Sequence, residues 1–325
     1  MHQAEWPQRI RAVLSSPSKL ILIGLNLFIY YLLLRWLSDN IHLGRFAGYL
    51  HGISFWAILG SLATNTTVLS LYGVRMSLLL RRSFQDSFTI INVGYALNTI
   101  VPLRLGEAMK IYMAHRLYSV PMISLFSASV AEKLFDLFSL LLLGGIVVAF
   151  AAGKLIQINV LLPITIFVVA AVCAIILFRV YIVRIVRMLP KRSRLRRLFI
   201  ELHKHANDYS FSRTSLATTG IWVLSVAQIY VTFNSYLPGV RVDLLDAVSL
   251  LLILALAVAV PGAPAGLGLF EAAIVAYLTQ KFHIDNEAAL AAAVVFHFVI
   301  IGSQLILTGC LVAMWKWNKS ASTDS

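Results

Sequence analysis

The chain has 325 residues, of which 59% are hydrophobic and only 13% charged, against about 45–50% and 25% for soluble domains. Its mean hydropathy of +0.83 and its long apolar runs exclude an ordinary soluble enzyme. They also exclude a membrane barrel, which would show short alternating strands. Lys and Arg number 27 against 14 Asp and Glu, a net charge of +13.

The predicted elements are helical, and residues 1–325 read as a single membrane domain. Met1–Lys19 has no apolar core of its own, so the first apolar run reads as a retained signal anchor. Leu20–Leu37 is the first span and Tyr49–Gly73 the second, with Arg75, Arg81 and Arg82 following it as flanking charges. Phe88–Val101 and Met109–Leu117 come next, too polar and interrupted for an ordinary span. Ser124–Ala152, Val160–Ile182 and Ser215–Tyr236 are the third to fifth spans. Leu244–Val260 and Leu269–Gln280 form a second interrupted pair, and Ala288–Trp315 closes as the sixth span. Each full run approaches or exceeds the roughly 20 residues that cross a bilayer.

Two interrupted stretches share one order of residues: Pro102-Leu-Arg-Leu-Gly-Glu-Ala108 and Pro264-Ala-Gly-Leu-Gly-Leu-Phe-Glu-Ala272. Gly/Pro-broken apolar segments in corresponding places of two halves point to a binding site near the membrane midplane. Pro102, Gly106, Pro261, Pro264, Gly266 and Gly268 are the expected hinges. The positive-inside rule places both termini, Gly73–Ser87 and the basic segment 179–213 in the cytoplasm, with Asp39–Gly44 and His283–Asn286 outside. This holds only if each broken pair enters and leaves on one side. The expectation is then all-α, with six full spans and two re-entrant helical hairpins, in inverted repeats of approximately 20–152 and 159–315.

Charged residues inside apolar segments are costly and default to function. Arg104 and Glu107, three apart, could pair on one helical face, as a structural ion pair or as part of a site. Arg104 has the planar fork suited to phosphate. Lys110, near the hairpin mouth, reads equally as a solvated lysine or a headgroup contact. Glu132 and Asp136 share a helical face, with Lys133 beside them, and must meet Arg104, Lys133, water or a cationic substrate; snorkelling at a span start is the plainer reading. Glu271 stands near a helix start, where a capping role competes with a binding one. For His51 and His297, single histidines in apolar runs, structural hydrogen bonding is favoured over metal ligation. Cys173 and Cys310 lie inside apolar runs and suggest neither a disulfide nor a metal site.

The segment 179–213 is basic and amphipathic, which suits contact with anionic inner-leaflet lipid. Nucleic-acid binding is not expected, since the membrane setting already accounts for these charges. No nucleotide-binding, zincin or Ser-His-Asp pattern is present.

Three motifs in order, Pro102-Leu-Arg-Leu-Gly-Glu-Ala-Met-Lys110, Ser129-Val-Ala-Glu-Lys-Leu-Phe-Asp136 and Pro264-Ala-Gly-Leu-Gly-Leu-Phe-Glu-Ala272, resemble the lysylphosphatidylglycerol synthase transmembrane (flippase-like) family. Lys110 and Lys133 stand where that family usually has arginine, and Ala265-Gly266 where it has two glycines. The resemblance implies two re-entrant elements and lipid movement between leaflets, with Arg104, Glu107, Glu132, Asp136 and Glu271 along the headgroup path and Lys110 and Lys133 beside them. The family's two-part synthases add a soluble aminoacyl-transfer domain; here only Asn318–Ser325 follows the last span, so a stand-alone member that is not an enzyme is expected. The expected function is a flippase-like transporter for a phospho- or glycolipid in the cell (inner) membrane, needing no metal or other cofactor. The alternatives are an accessory protein presenting a lipid-linked sugar or isoprenoid to a partner enzyme, and a small-solute or ion transporter. Expected partners are the lipid substrate and anionic inner-leaflet lipids, with a homo-oligomer or a lipid-modifying enzyme left open.

Overall fold

The computed structural model describes residues 39–100, 106–151, 210–259 and 264–323, together with Phe28, Tyr31 and Arg35. The first span apart from those three residues, the fourth span, the basic segment up to residue 209, and Pro102, Arg104 and Pro261 lie outside the described residues. Nine helices make up the rest: α1 Leu43–Gly52, α2 Phe55–Leu80, α3 Phe84–Ile100, α4 Gly106–Tyr118, α5 Met122–Ala151, α6 Phe211–Tyr236, α7 Leu244–Ala259, α8 Leu269–Phe282 and α9 Asn286–Thr323. A short 3-10 turn, Pro264–Gly266, precedes α8. No strand occurs among the described residues.

Helices α2, α6 and α9 (within Asn286–Met314) are long and apolar enough to cross a membrane. Hydroxyls in α2 do not interrupt it, because Thr64, Thr66, Thr67 and Ser70 each donate to the carbonyl four residues back at 2.8–2.9 Å. A polar side chain satisfied by its own helix leaves no open donor in the apolar phase. Helix α5 has the length of a span, 30 residues, but carries Glu132, Lys133 and Asp136.

The second span is not the predicted run. Tyr49 belongs to α1, the chain breaks at Ile53–Ser54, and α2 continues seven residues past Gly73 to a left-handed cap at Arg81 (φ 51°). Gly73–Leu80 is therefore helix and not loop. His51 is not in an apolar span either; it is exposed on α1.

Element lengths repeat along the chain. Helices of 26, 17, 13 and 30 residues (α2–α5) are followed by helices of 26, 16, 14 and 38 (α6–α9). The equivalent helices α2 and α6 pack antiparallel: Ser61 meets Thr232 at 2.8 Å, Asn65 meets Gln228 at 3.4 Å, and Leu71 lies beside Gly220.

Each broken stretch makes a helical hairpin. In the first, Lys110 lies against Gly94 and Gly106 against Asn98, in one antiparallel register. A Cβ on Gly94 would fall 2.8–3.0 Å from three carbons of Lys110, so glycine there lets the lysine stem lie flat across α3. In the second hairpin, Asp246 near the start of α7 meets Tyr277 near the end of α8. The 3-10 turn at its tip packs against both α7 and α3 of the other hairpin. Helix α9 ties to the first hairpin through Thr308 to the Asn92 carbonyl (3.1 Å) and Thr99 to Gln304 (3.0 Å).

The largest apolar core gathers α6–α9 around Phe233, Phe270, Ile274, Leu278 and Phe296. Small buried side chains at Ala288, Ala289, Ala292 and Ala293 let neighbouring helices approach α9 closely. At one end of the bundle the His42 amide donates to Glu287 (3.1 Å) and the Tyr49 hydroxyl to Asp285 (2.9 Å). The two loops predicted to lie outside are therefore neighbours.

Candidate functional site

Six charged side chains from α2, α4 and α5 form one connected group. Arg75 is fully buried. Its Nη1 donates to Asp136 Oδ1 at 2.5 Å, and its Nη2 donates to Glu132 Oε1 at 2.7 Å and to Asp136 Oδ2 at 3.3 Å. Asp136 thus receives both arms of the guanidinium fork, a geometry available to arginine alone. On the far side of Glu132, Oε2 faces Lys110 Nζ at 3.4 Å; the same Nζ reaches Glu107 at 2.7 Å. Glu107 in turn meets Lys133 at 3.6 Å.

The local structure explains the order of the group. Glu132 and Asp136 are one helical turn apart on α5 and so present both carboxylates to the same neighbour. Lys110 follows Glu107 by three residues on α4, which stacks them on one face. Tyr72, one turn before Arg75, lays its ring under the guanidinium carbon at 4.9 Å and meets the Tyr95 ring edge-on. Three cations face three carboxylates, so the group is neutral as a set. Neutrality is what makes it tolerable in an apolar bundle, since an unpaired charge there would cost several kcal/mol.

Burial grades along the group. The Arg75, Glu132 and Lys110 side chains are 1–2% exposed, Glu107 is 32% exposed and Lys133 is 60% exposed. Lys133 emerges on α5 among Val130, Leu134, Leu137 and Phe138, all exposed and apolar. The charged chain therefore runs from the interior to a greasy outer face.

Three sequence expectations change here. Arg75 is a central member of the site and not a flanking loop charge. Lys110 is buried between two carboxylates and is not a solvated residue at the hairpin mouth. Glu132 and Asp136 are answered by Arg75 and Lys110 and do not snorkel at a span start. Glu107 finds Lys110 and Lys133; its expected partner Arg104 lies outside the described residues.

Glu271 belongs to a second cluster at the tip of the other hairpin. Its Oε2 accepts from the Gly268 amide at 2.6 Å, capping α8, and its Oε1 meets His297 Nδ1 at 2.6 Å. His297 Nε2 lies 3.2 Å from the Ala265 carbonyl, and Phe270 stacks on the ring at 4.2 Å. The capping role and the structural hydrogen bonding of His297 both hold. The hinge residues also take up backbone shapes that favour glycine: Gly266 has φ 77° and Gly268 φ 87°, while Ala265 has φ 57°.

Two helical hairpins meeting inside a bundle of apolar helices, with a neutral ionic group buried among them, define an integral membrane protein of the helical type. The chain belongs to the lysylphosphatidylglycerol synthase TM region family, whose profile matches residues 21–307. Comparison with curated proteins found no match.

Proposed function

We propose that the protein moves a phospho- or glycolipid between membrane leaflets, as a transporter and not as an enzyme. The observation that carries this reading is the graded ionic group. Its buried end sits between α2, α4 and α5, and its accessible end, Glu107 with Lys133, opens on an apolar face. A lipid needs such a layout. Its headgroup must find charge inside the bundle while its tails stay in hydrocarbon. Moving two tails of about sixteen carbons out of that phase would cost roughly 25 kcal/mol at ~0.8 kcal/mol per CH₂. No single headgroup site offsets that, so access has to be lateral.

In this mechanism the headgroup phosphate engages Lys133, with Arg104 as the expected second cation, while Glu107 receives an amine or sugar hydroxyl. With a zwitterionic headgroup, phosphate on Lys133 and amine on Glu107 together replace the Lys133–Glu107 ion pair, so charge stays balanced during exchange. The repeat of helix lengths and the antiparallel α2–α6 pair support an inverted arrangement of the two halves, each hairpin dipping into the membrane from its own side. Family membership supports a lipid-related role. An inner-membrane location with cytoplasmic termini completes the proposal.

The test is reconstitution in liposomes with a panel of fluorescent lipids differing in headgroup. Wild-type protein should speed the exposure of inner-leaflet lipid to an external impermeant quencher for at least one headgroup. Lys133→Gln should slow it at least tenfold while changing stability by less than ~1 kcal/mol, because the Lys133–Glu107 pair it breaks is partly solvated. Vesicles holding wild-type protein that flip every lipid no faster than empty vesicles would overturn the reading.

A further inference from the structure

The second hairpin tip presents an unusual hydrogen-bonding problem. The His297 ring, 3% exposed, has an acceptor at both nitrogens: the Glu271 carboxylate at Nδ1 and the Ala265 carbonyl at Nε2. A carbonyl oxygen carries no proton, so Nε2 must donate. The 2.6 Å contact at Nδ1 must also hold a proton between nitrogen and oxygen. Together the pair therefore holds two protons, one more than a neutral imidazole beside a carboxylate. Glu271 already accepts from the Gly268 amide through its other oxygen, an arrangement that favours the ionised carboxylate and leaves both protons on the ring.

We propose that Glu271 and His297 form a proton-binding site that closes the tip of the second hairpin, with His297 as the imidazolium. The ligand is a single proton. While it is bound, the two side chains tie down the Gly268 amide and the Ala265 carbonyl, on either side of a turn whose Ala265, Gly266 and Gly268 all have positive φ. When it leaves, a bare nitrogen faces either the carbonyl or the carboxylate. One tether breaks, and the turn that packs against α3 of the first hairpin loses its hold. A proton taken up at one tip thereby bears on the contact between the two hairpins.

Among the described residues the surroundings add no competing charge. Glu271 is the only titratable side chain in hydrogen-bond or ion-pair contact with His297 among the described residues. On the elements packed against α9 and α8, Asp246 is engaged by Tyr277 (2.9 Å) and Lys281 (3.3 Å), and Arg75 by Glu132 and Asp136. Asp86 and Arg213 stand in the first turns of α3 and α6, far along those helices from Thr99 and Phe233, which meet Gln304 and Phe296 of α9. Arg45 and His51 lie on α1, which is tied to the start of α9 through Glu287 and Asp285, roughly 15 Å along the helix from His297. Phe270 covers the ring face.

The site stands whether or not the chain moves lipid, and its test needs no transport. His297–Phe298 is the only His-Phe step in the sequence, so ¹³C,¹⁵N-histidine with ¹⁵N-phenylalanine labelling assigns the ring without a substitution. Solid-state NMR of the full chain in phosphatidylcholine and phosphatidylglycerol bilayers should find both His297 nitrogens protonated at pH 7. Raising the pH should remove one proton, and the Ala265 carbonyl resonance should move with the same midpoint. Glu271→Gln, whose amide can cap Gly268 and donate to Nδ1, should leave a singly protonated ring at pH 7. A bare ring nitrogen in the wild-type protein at pH 7 would overturn the proposal, and so would an Ala265 signal that ignores the titration.

Discussion

Arg75→Ala is the substitution whose outcome is best constrained by the structure. The guanidinium makes two short charge-assisted hydrogen bonds, 2.5 Å to Asp136 and 2.7 Å to Glu132, and a third at 3.3 Å. At about 1.5–3 kcal/mol for each bond to a charged group, the two short ones alone amount to roughly 3–6 kcal/mol. Removing one member of a buried ion pair typically costs ~3–5 kcal/mol, because the partner stays buried and uncompensated. Glu132 would keep Lys110 at 3.4 Å, but Asp136 would lose both of its bonds from the guanidinium. The expected loss is therefore about 3–5 kcal/mol, measured as equilibrium unfolding by steric trapping in lipid discs. Arg75→Met with Asp136→Asn removes one charge of each sign and leaves Glu132 with Lys110, so more than half of that loss should return. A single variant losing less than ~1 kcal/mol would refute the reasoning. A double variant no better than Arg75→Met alone would assign the loss to packing on Tyr72 and not to charge.

Two further outcomes follow from the geometry. Gly94→Ala should cost ~1–3 kcal/mol in the same assay, because its new Cβ would lie 2.8 Å from Lys110 Cδ; no change would mean the α3–α4 register is not held as described. In a background with Cys173 and Cys310 replaced by serine, cysteines at His283 and at Arg82 should react with an impermeant reagent from opposite sides of the membrane. Labelling of both from one side would remove the inverted arrangement.

The sequence by itself determined the class, because 59% hydrophobic content in runs of helical length leaves few alternatives. It also located the ends of α3, α4, α7 and α8 within a few residues. Pro and Gly act on the backbone where they stand, so a broken helix is a local fact and readable locally. Glu271 and His297 were legible for the same reason in part: a carboxylate three residues after Gly268 is a capping signal whatever surrounds it. The meeting of His297 with Glu271 and Ala265, 26 and 32 residues away, was not.

Only the tertiary structure decided what Arg75 does. A cation just past a glycine at the end of an apolar run reads the same whether it snorkels to water or turns inward, since both use the same helix and the same long side chain. The choice rests on Glu132 and Asp136, 57 and 61 residues further along, and on α5 packing against α2. Lys110 shows the same division. Its spacing from Glu107 was visible, but its burial depends on Gly94 in the facing helix and on Glu132 in the next one. Pairing of charges across helices is a property of which faces meet, and a single chain of letters carries the faces but not their partners.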